Sequence, residues 1–336
     1  MQIFQINMTT DTTPTINDHL SEAILSNIIV VVSDIRSRNS VALVYHKWLL
    51  LECATRTILT LCGNIRQLYM VPTSFRSIPH LDLSMLSPWG YSFTSSSADH
   101  AIIAHLLRHA FPAFTSLTLH ARNSSTLQLL APLWPNLKQV KLVRWHQRPQ
   151  LATTGEEFEI LFQKCKSLCS LDLSLFYCWA DDVHLALKSN PLISSNLTCL
   201  NLFNPSFSKG FKSDEIREIT RVNPSLKEFR AACIFDPRYT RYVGDDGLVS
   251  IAMNCPKLAI LYLADTSALS NLRRDPEREG FTDSGPTLEL LHPKCPKLKQ
   301  LKLGQFHGIF VQGLQEDHDE RNEDLCASAS TNIGGG

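Results

Sequence analysis

The sequence lacks an excess of charge of either sign, with 32 basic and 32 acidic residues among 336. Nucleic-acid partners select strongly basic surfaces, so the neutral balance argues against nucleic-acid binding. It also lacks an apolar run near the roughly 20 residues that span a bilayer. The longest candidate is the five residues from Ile28 to Val32. We therefore expect neither a nucleic-acid partner nor a membrane.

The N-terminus lacks the basic segment and the following apolar segment of a secretory signal. We therefore expect the ten cysteines to be reduced thiols. A metal site built from Cys165, Cys169 and Cys178 is the alternative, but the sequence contains no CxxC pair. We favour packing roles for these thiols and predict no metal and no cofactor.

Catalytic motifs are missing too, since no glycine-rich phosphate loop follows a predicted strand. His105 and His109 have the spacing of two zinc ligands, but the glutamate of a zinc-protease helix is absent between them. The acidic pairs at 181–182 and 245–246 each precede a helical pattern, where the helix dipole favours acids. We predict that the protein is not an enzyme.

What the sequence does contain is a repeat, in which apolar residues stand at the first, fourth and sixth positions of a short motif. The first positions lie on average about 31 residues apart, close to the period of leucine-rich repeats. In each copy the last two apolar residues alternate with polar ones, as on a strand with one buried face. The copies begin at Ile78, Phe114, Leu137, Leu168, Leu197, Leu226, Leu258 and Leu298.

Helical stretches precede several of these strands, at 101–107, 157–162, 213–219 and 247–253. They tend to close with Cys-Pro or Asn-Pro, and proline cannot continue a helix. The recurring cysteines before the strands fit small buried groups. We predict an α/β fold in which a solenoid of about eight repeats covers residues 57–308, with parallel strands on the concave face and helices on the convex face.

Residues 16–56 lack the repeat motif, and the spacing of their apolar residues predicts a small helical unit. Apolar residues on one helical stripe begin at Leu20, and a second long helix capped by Asn39 or Ser40 would carry Val41, Val44 and Trp48. A unit of about 40 residues is near the lower limit of independent stability, so its apolar surface should need a partner. Residues 1–15 and the acidic segment 309–336 are predicted to be disordered.

The segment from Leu20, followed by Val-Tyr-His-Lys-Trp at 44–48, resembles an F-box. Four further segments, at 75–90, 142–148, 235–239 and 301–306, are similar to distinctive segments of the plant More Axillary Growth (Dwarf-type) F-box proteins of strigolactone and karrikin signalling. The resemblance runs from about residue 14 to residue 308. The sequence departs from the family pattern in three ways. The F-box segment has an inserted His19 and has Ser21 in place of the usual proline, and a further repeat that family members carry near 291–293 is missing. The chain is also about half the family's length, which suggests C-terminal truncation.

This resemblance implies the substrate-recognition subunit of a Skp–cullin–F-box ubiquitin ligase that works in the nucleus, and also in the cytoplasm. Its implied partners are a Skp-type adaptor and through it a cullin, an α/β-hydrolase hormone receptor, and repressor proteins marked for degradation. The alternative is a truncated leucine-rich-repeat scaffold that is not coupled to ubiquitination. The residues expected to contact the adaptor are Leu20, Ile24, Leu25, Ile28, Val44 and Trp48.

A second binding surface follows from the repeats, because the residue between the two inward leucines of each strand points to the concave face. This row is polar and mixed in sign, which suits a protein surface better than a buried small ligand. A basic cluster at Arg144, His146 and Arg148 is a further candidate for an acidic partner. The row consists of Asp82, Thr118, Lys141, Asp172, Asn201, Arg230, Tyr262 and Lys302.

Overall fold

One sheet of ten strands runs through the repeat region, and its strands neighbour one another in chain order. Chain order and spatial order coincide because each strand is one unit of a repeat that contacts only the units before and after it. The computed structural model describes residues 19–61, 75, 78–85, 105, 107–108, 114–121, 124–144, 156–176, 178, 180–203, 213–232, 243–264, 291–304 and 310–313.

All eight predicted strands are present, and with a further strand before them they form a parallel sheet of nine. The inward positions are buried throughout, as in Leu171 and Leu200, which have no exposed surface. The predicted α/β solenoid is therefore confirmed. The predicted strands are β2 (His80–Leu83), β3 (Ser116–His120), β4 (Gln139–Arg144), β5 (Ser170–Phe176), β6 (Cys199–Phe203), β7 (Glu228–Ala232), β8 (Ile260–Ala264) and β9 (Gln300–Gly304).

Helices connect the strands and pack on one another in sequence, so that their apolar faces cover the leucine side of the sheet. The predicted helices at 157–162, 213–219 and 247–253 are confirmed, whereas only residues 105, 107 and 108 of the first predicted helix and its continuation lie among the described residues. The helices are α4 (Ser124–Leu130), a 3-10 turn (Ala131–Leu133), α5 (Glu156–Lys164), α6 (Ala180–Ser189), α7 (Pro191–Asn196), α8 (Ser213–Val222), α9 (Asp245–Asn254) and α10 (Leu291–Lys294).

Two strands were not anticipated. Strand β1 (Ile58–Thr60) pairs in parallel with β2, and its Leu59 is buried. The motif missed it because Arg56 occupies the first apolar position. Strand β10 (Phe310–Gly313) pairs antiparallel with β9 and lies inside the segment that we predicted to be disordered. That prediction is therefore wrong for these four residues, and the rest of 309–336 lies outside the described residues, as do residues 1–15.

The turns that lead into β5, β7, β8 and β9 each bury one small or polar side chain at the same place. Cys165, Cys255 and Cys295 occupy this place, and their Sγ atoms lie 3.4–3.9 Å from carbonyl oxygens one repeat earlier. Burial raises the pKa of Cys165 and of Cys255 to about 12. Asn223 takes the same place with its amide donating to the carbonyl of Ile219 at 2.7 Å. The packing role predicted for these cysteines is confirmed.

Within the described residues 19–61, the N-terminal unit contains the helices α1 (Glu22–Val31), α2 (Ile35–Ala42) and α3 (His46–Thr55). Ser21 caps α1 by accepting from the amide of Ile24 at 3.4 Å, as a serine in the place of proline allows. The prediction of one long second helix capped by Asn39 or Ser40 is wrong. Asp34 caps α2, and Tyr45, which has an extended backbone, separates α2 from α3. The break lets α3 turn back and pack on both α1 and α2.

Candidate functional site

A buried carboxylate joins the helical unit to the first strand of the solenoid. Glu52 on α3 is 1% exposed, and its Oε1 accepts from Arg38 Nε at 3.2 Å and Arg56 Nε at 2.7 Å. Arg38 also donates to Thr55 Oγ1 at 2.9 Å, and Arg56 donates to Asn39 Oδ1 at 2.7 Å. Because Arg56 lies two residues before β1, this network fixes α2, α3 and the start of the sheet to one another.

Helix α1 has two faces, and the sequence alone did not separate them. Leu25 and Ile29 are 1% and 2% exposed and pack inside the unit, whereas Ile24 and Ile28 are 49% and 51% exposed. Leu25 is therefore part of the interior of the unit in this structure and not of its outer surface. The outer stripe continues to Val31, which lies three residues after Ile28 and is also exposed.

The turn between α2 and α3 adds more exposed apolar side chains. Of the residues expected to contact the adaptor, Val44 is exposed, while Leu20 and Trp48 are half-buried. The list of residues expected to contact the adaptor missed seven of the ten members of this surface, and the signal available was only their high hydrophobicity in a segment without a repeat. We call the exposed residues together the apolar surface: Ile24, Ile28, Val30, Val31, Ile35, Leu43, Val44, Tyr45, Leu49 and Leu50.

The predicted row of eight residues is a single line across the sheet. Asp82 pairs with Thr118, and the pairing continues strand by strand through Asn201 to Lys302. The row lies opposite the buried leucines, as predicted from the alternation. Thr118 is 8% exposed and the other seven are intermediate, so Thr118 offers a partner little surface.

Some of the row's side chains are committed to their own strands. Asp82 Oδ1 accepts from the amide of Ser84 at 2.9 Å, and Asp172 and Asn201 make the same bond two residues ahead at 2.8 and 3.0 Å. Lys141 Nζ lies 3.6 Å from Asp172 Oδ2. In the middle of the row the polar groups therefore satisfy one another, and this part of the surface is rigid and nearly neutral.

The first residues of the strands share the same face, and sequence reasoning overlooked them. His80 Nδ1 lies 2.6 Å from Ser116 Oγ, and its Nε2 lies 3.3 Å from Thr118 Oγ1. Burial lowers the pKa of His80, while the nearby Asp82 acts in the opposite direction. The signal was available, because a residue two positions before the row must lie on the same face of a strand.

A cationic and aromatic cluster occupies the C-terminal end of the row. The guanidinium carbon of Arg230 lies 4.5 Å and Lys302 Nζ 5.0 Å from the ring centre of Tyr262. The Tyr262 hydroxyl donates to Gln300 Oε1 at 2.8 Å, and Arg230 Nε pairs with Glu228 Oε1 at 2.5 Å. A rigid tyrosine between two cations is the kind of group that anchors a protein interface.

The predicted basic cluster is not supported at its first member. Arg144 is 3% exposed, and its guanidinium lies 4.0 Å from the ring centre of Phe176. A side chain buried on an aromatic ring cannot present its charge to a partner, so Arg144 is a packing residue in this structure. His146 and Arg148 lie outside the described residues.

No group of three or more potential metal ligands comes together among the residues that the structure describes. Of the three cysteines considered for a metal, Cys165 and Cys169 direct their sulfurs to separate backbone carbonyls. In the same described part of the chain, no helix combines the length and the apolar character that crossing a membrane requires.

The amino-acid sequence has close counterparts among plant F-box proteins. The F-box protein MAX2 homolog A of Petunia hybrida is 56% identical over 328 residues, which cover 88% of this chain and 46% of that protein. This chain belongs to the MAX2 family of F-box proteins. F-box protein MAX2 of Arabidopsis thaliana is 43% identical over 323 residues, covering 86% of this chain and 47% of that protein.

A MAX2 relative also occurs in rice: the F-box/LRR-repeat MAX2 homolog of Oryza sativa subsp. japonica is 36% identical over 348 residues, with 86% of this chain and 48% of that protein covered. The chain therefore spans about half the length of the MAX2 proteins that it matches. No general family model matches the sequence. The resemblance inferred from the short segments is confirmed by these relatives.

Proposed function

We propose that this chain is the substrate-recognition subunit of a Skp–cullin–F-box ubiquitin ligase, with the helical unit docking on the Skp-type adaptor. The observation that carries the proposal is the apolar surface, in which ten large apolar side chains between residues 24 and 50 are exposed. Burying such a surface stabilises a complex by about 25 cal/mol for each Å² removed from water. Its position on the F-box segment of a chain that is similar to F-box proteins supports the adaptor as the partner.

The proposed mechanism requires no catalytic group on this chain. The helical unit would hold the ligase, the solenoid would hold the substrate, and the Glu52 network would fix the distance between the two. Transfer of ubiquitin then depends on proximity, which a rigid connection provides. The polar row and the Tyr262 cluster are proposed to contact the substrate protein.

The finer proposal follows from the resemblance of the short segments. The substrates would be repressors of strigolactone or karrikin responses, presented together with an α/β-hydrolase hormone receptor, and the work would take place in the nucleus and also in the cytoplasm. Co-precipitation of the receptor that depends on added hormone would support this proposal. Co-precipitation of the receptor that is the same with and without hormone, or a lack of co-precipitation under both conditions, would contradict the proposal.

The adaptor proposal is tested with substitutions on the exposed stripe. The double variant Ile24→Glu/Ile28→Glu places charges in the proposed interface without touching the buried Leu25, and it should abolish capture of purified Skp-type adaptor. Leu192→Glu is the matched control, because Leu192 is 53% exposed in the solenoid. Unchanged adaptor binding by the double variant would contradict docking through the apolar surface, and no adaptor binding by the parent chain would favour the uncoupled scaffold, provided that circular dichroism shows all variants folded.

A further inference from the structure

Exposed lysines crowd the edge of the sheet at which the parallel strands begin. They lie in the last helical turns and in the turns into β4 through β9, and every one is exposed. Among the described residues of these turns and the first residues of β4 to β9, the one acidic side chain is that of Glu228, which is already paired with Arg230. We call this group the basic edge: Lys138, Lys164, Lys166, Lys188, Lys227, Lys257, Lys294, Lys297 and Lys299.

The basic edge is regular because one backbone ladder positions it. The carbonyl of Lys227 accepts from the amide of Ala259 at 2.7 Å, and the carbonyl of Ala259 accepts from the amide of Lys299 at 2.9 Å. The carbonyl of Lys138 belongs to the same ladder three strands earlier than Lys227, and it accepts from the amide of Cys169 at 2.8 Å. Neighbouring strands lie about 4.8 Å apart, so the edge from β4 to β9 is roughly 24 Å long.

None of these lysines forms an ion pair with a residue that the structure describes, although the charge of Lys188 acts on Glu218, which is paired with Arg221. The full sequence is nevertheless neutral, so acids must be in excess elsewhere. The densest group is residues 316–324, which hold six acids and one arginine: Glu316, Asp317, Asp319, Glu320, Arg321, Glu323 and Asp324.

The topology places Gly313, the last described residue, at the basic edge. Strand β10 runs antiparallel to β9, with Phe310 opposite Gly304 and Gly313 opposite Leu301. The chain therefore leaves β10 at the end of the sheet where β9 begins, beside Lys299. Two residues separate Gly313 from Glu316. Nine extended residues reach about 30 Å, enough to follow the whole edge.

We propose that the acidic segment 316–324 docks along the basic edge of its own chain, nearest to Lys294, Lys297 and Lys299. Because the basic edge is exposed and the acidic segment carries the opposite charge, the contact should weaken with salt, whose screening length is about 10 Å at 0.1 M.

Zero-length carbodiimide crosslinking of the full chain tests the proposal, since it joins lysines to carboxylates that touch. We expect crosslinks from 316–324 to Lys294, Lys297 and Lys299 in the monomer fraction at low salt, and their loss in 0.5 M sodium chloride. Lys47 of the helical unit is the internal control. Equal crosslinking to Lys47, crosslinks found only in a crosslinked dimer, or no crosslink to the edge would overturn the proposal.

A variant gives an independent readout. Trypsin cleavage after Arg321 should be several-fold faster in Lys294→Gln/Lys297→Gln/Lys299→Gln than in the parent chain, and Lys47→Gln should match the parent. Equal rates in all three chains would contradict docking. If the parent chain bound a single-stranded DNA oligonucleotide at the basic edge and gave no crosslink between the segment and the edge, the proposal would be overturned and a polynucleotide would be the occupant.

Discussion

Glu52→Ala is the perturbation that best tests how the two proposed surfaces are held together. Glu52 is the common acceptor for Arg38 on α2 and Arg56 at the start of the solenoid. The substitution removes the carboxylate and leaves both guanidinium groups in place, where their side chains are only 11% and 12% exposed. Two like charges would then face each other without a counter-charge.

The expected loss of stability is large because the network is nearly dry. The Glu52 side chain is 2% exposed, and removing one partner of a buried ion pair costs about 3–5 kcal/mol. The matched control is Asp214→Ala, because the Asp214–Arg217 pair has a similar 3.0 Å separation but side chains that are 79% and 46% exposed. An exposed pair contributes about 0–1 kcal/mol.

Amide hydrogen exchange across residues 46–55 is the assay, because it reports the opening of α3 without requiring the whole chain to unfold in one step. A loss of 3 kcal/mol accelerates exchange by about 100-fold, since 1.4 kcal/mol corresponds to a factor of ten. Glu52→Gln should give a smaller acceleration, because it keeps one hydrogen-bond acceptor. Equal exchange in Glu52→Ala and Asp214→Ala would refute the reasoning.

Other predictions concern the solenoid. Leu261→Ala should lower the free energy of unfolding in urea by about 2–5 kcal/mol, because Leu261 is fully buried, and a loss as small as that of Met253→Ala would be inconsistent with a packed core. Cys165 and Cys255 should resist iodoacetamide at pH 8 until urea is added; rapid native labelling, followed by mass spectrometry, would count against their buried place. Because the folded pKa of Cys255 is about 12 and its ordinary value is 9.0, the unfolded thiol ionises first, so stability should fall between pH 9 and 12 by about 1.4 kcal/mol per pH unit for this thiol. Cys255→Ala should remove that part of the slope, and an unchanged slope would disprove the linkage. Tyr262→Ala should weaken substrate capture at least tenfold while leaving the melting temperature nearly unchanged, and equal capture would exclude the cluster as an anchor.

The periodic part of the fold was predictable because each repeat supplies the same local signal. Alternating leucines with a proline turn before them are sufficient to place a strand such as β8, and the register then puts Tyr262 beside Arg230. Strand β1 was not predicted because the repeat motif is broken at Arg56, where a charged residue takes the place of an apolar one. The charge of Arg56 is neutralised by Glu52, which also pairs with Arg38, fourteen residues before Glu52 in the chain. Such a pairing across elements leaves no periodic trace.

The helical unit was less predictable because its hydrophobicity is not confined to one face. Ile24, Leu25 and Ile28 are chemically alike, and only the packing of α3 on α1 decides that Leu25 is inside. The break before α3 has no glycine or proline to mark it, since Tyr45 adopts the extended conformation there. Arg144 shows the same limit, because burial on Phe176 is set by neighbouring strands and not by its own sequence context.

Titration of the purified chain with a purified Skp-type adaptor, followed by calorimetry, tests the central proposal most directly. The account predicts a saturable one-to-one complex with a negative heat-capacity change, as burial of an apolar surface requires. It also predicts no measurable binding by Ile24→Glu/Ile28→Glu. The absence of binding by the parent chain, or binding that the double substitution leaves unchanged, would contradict the account.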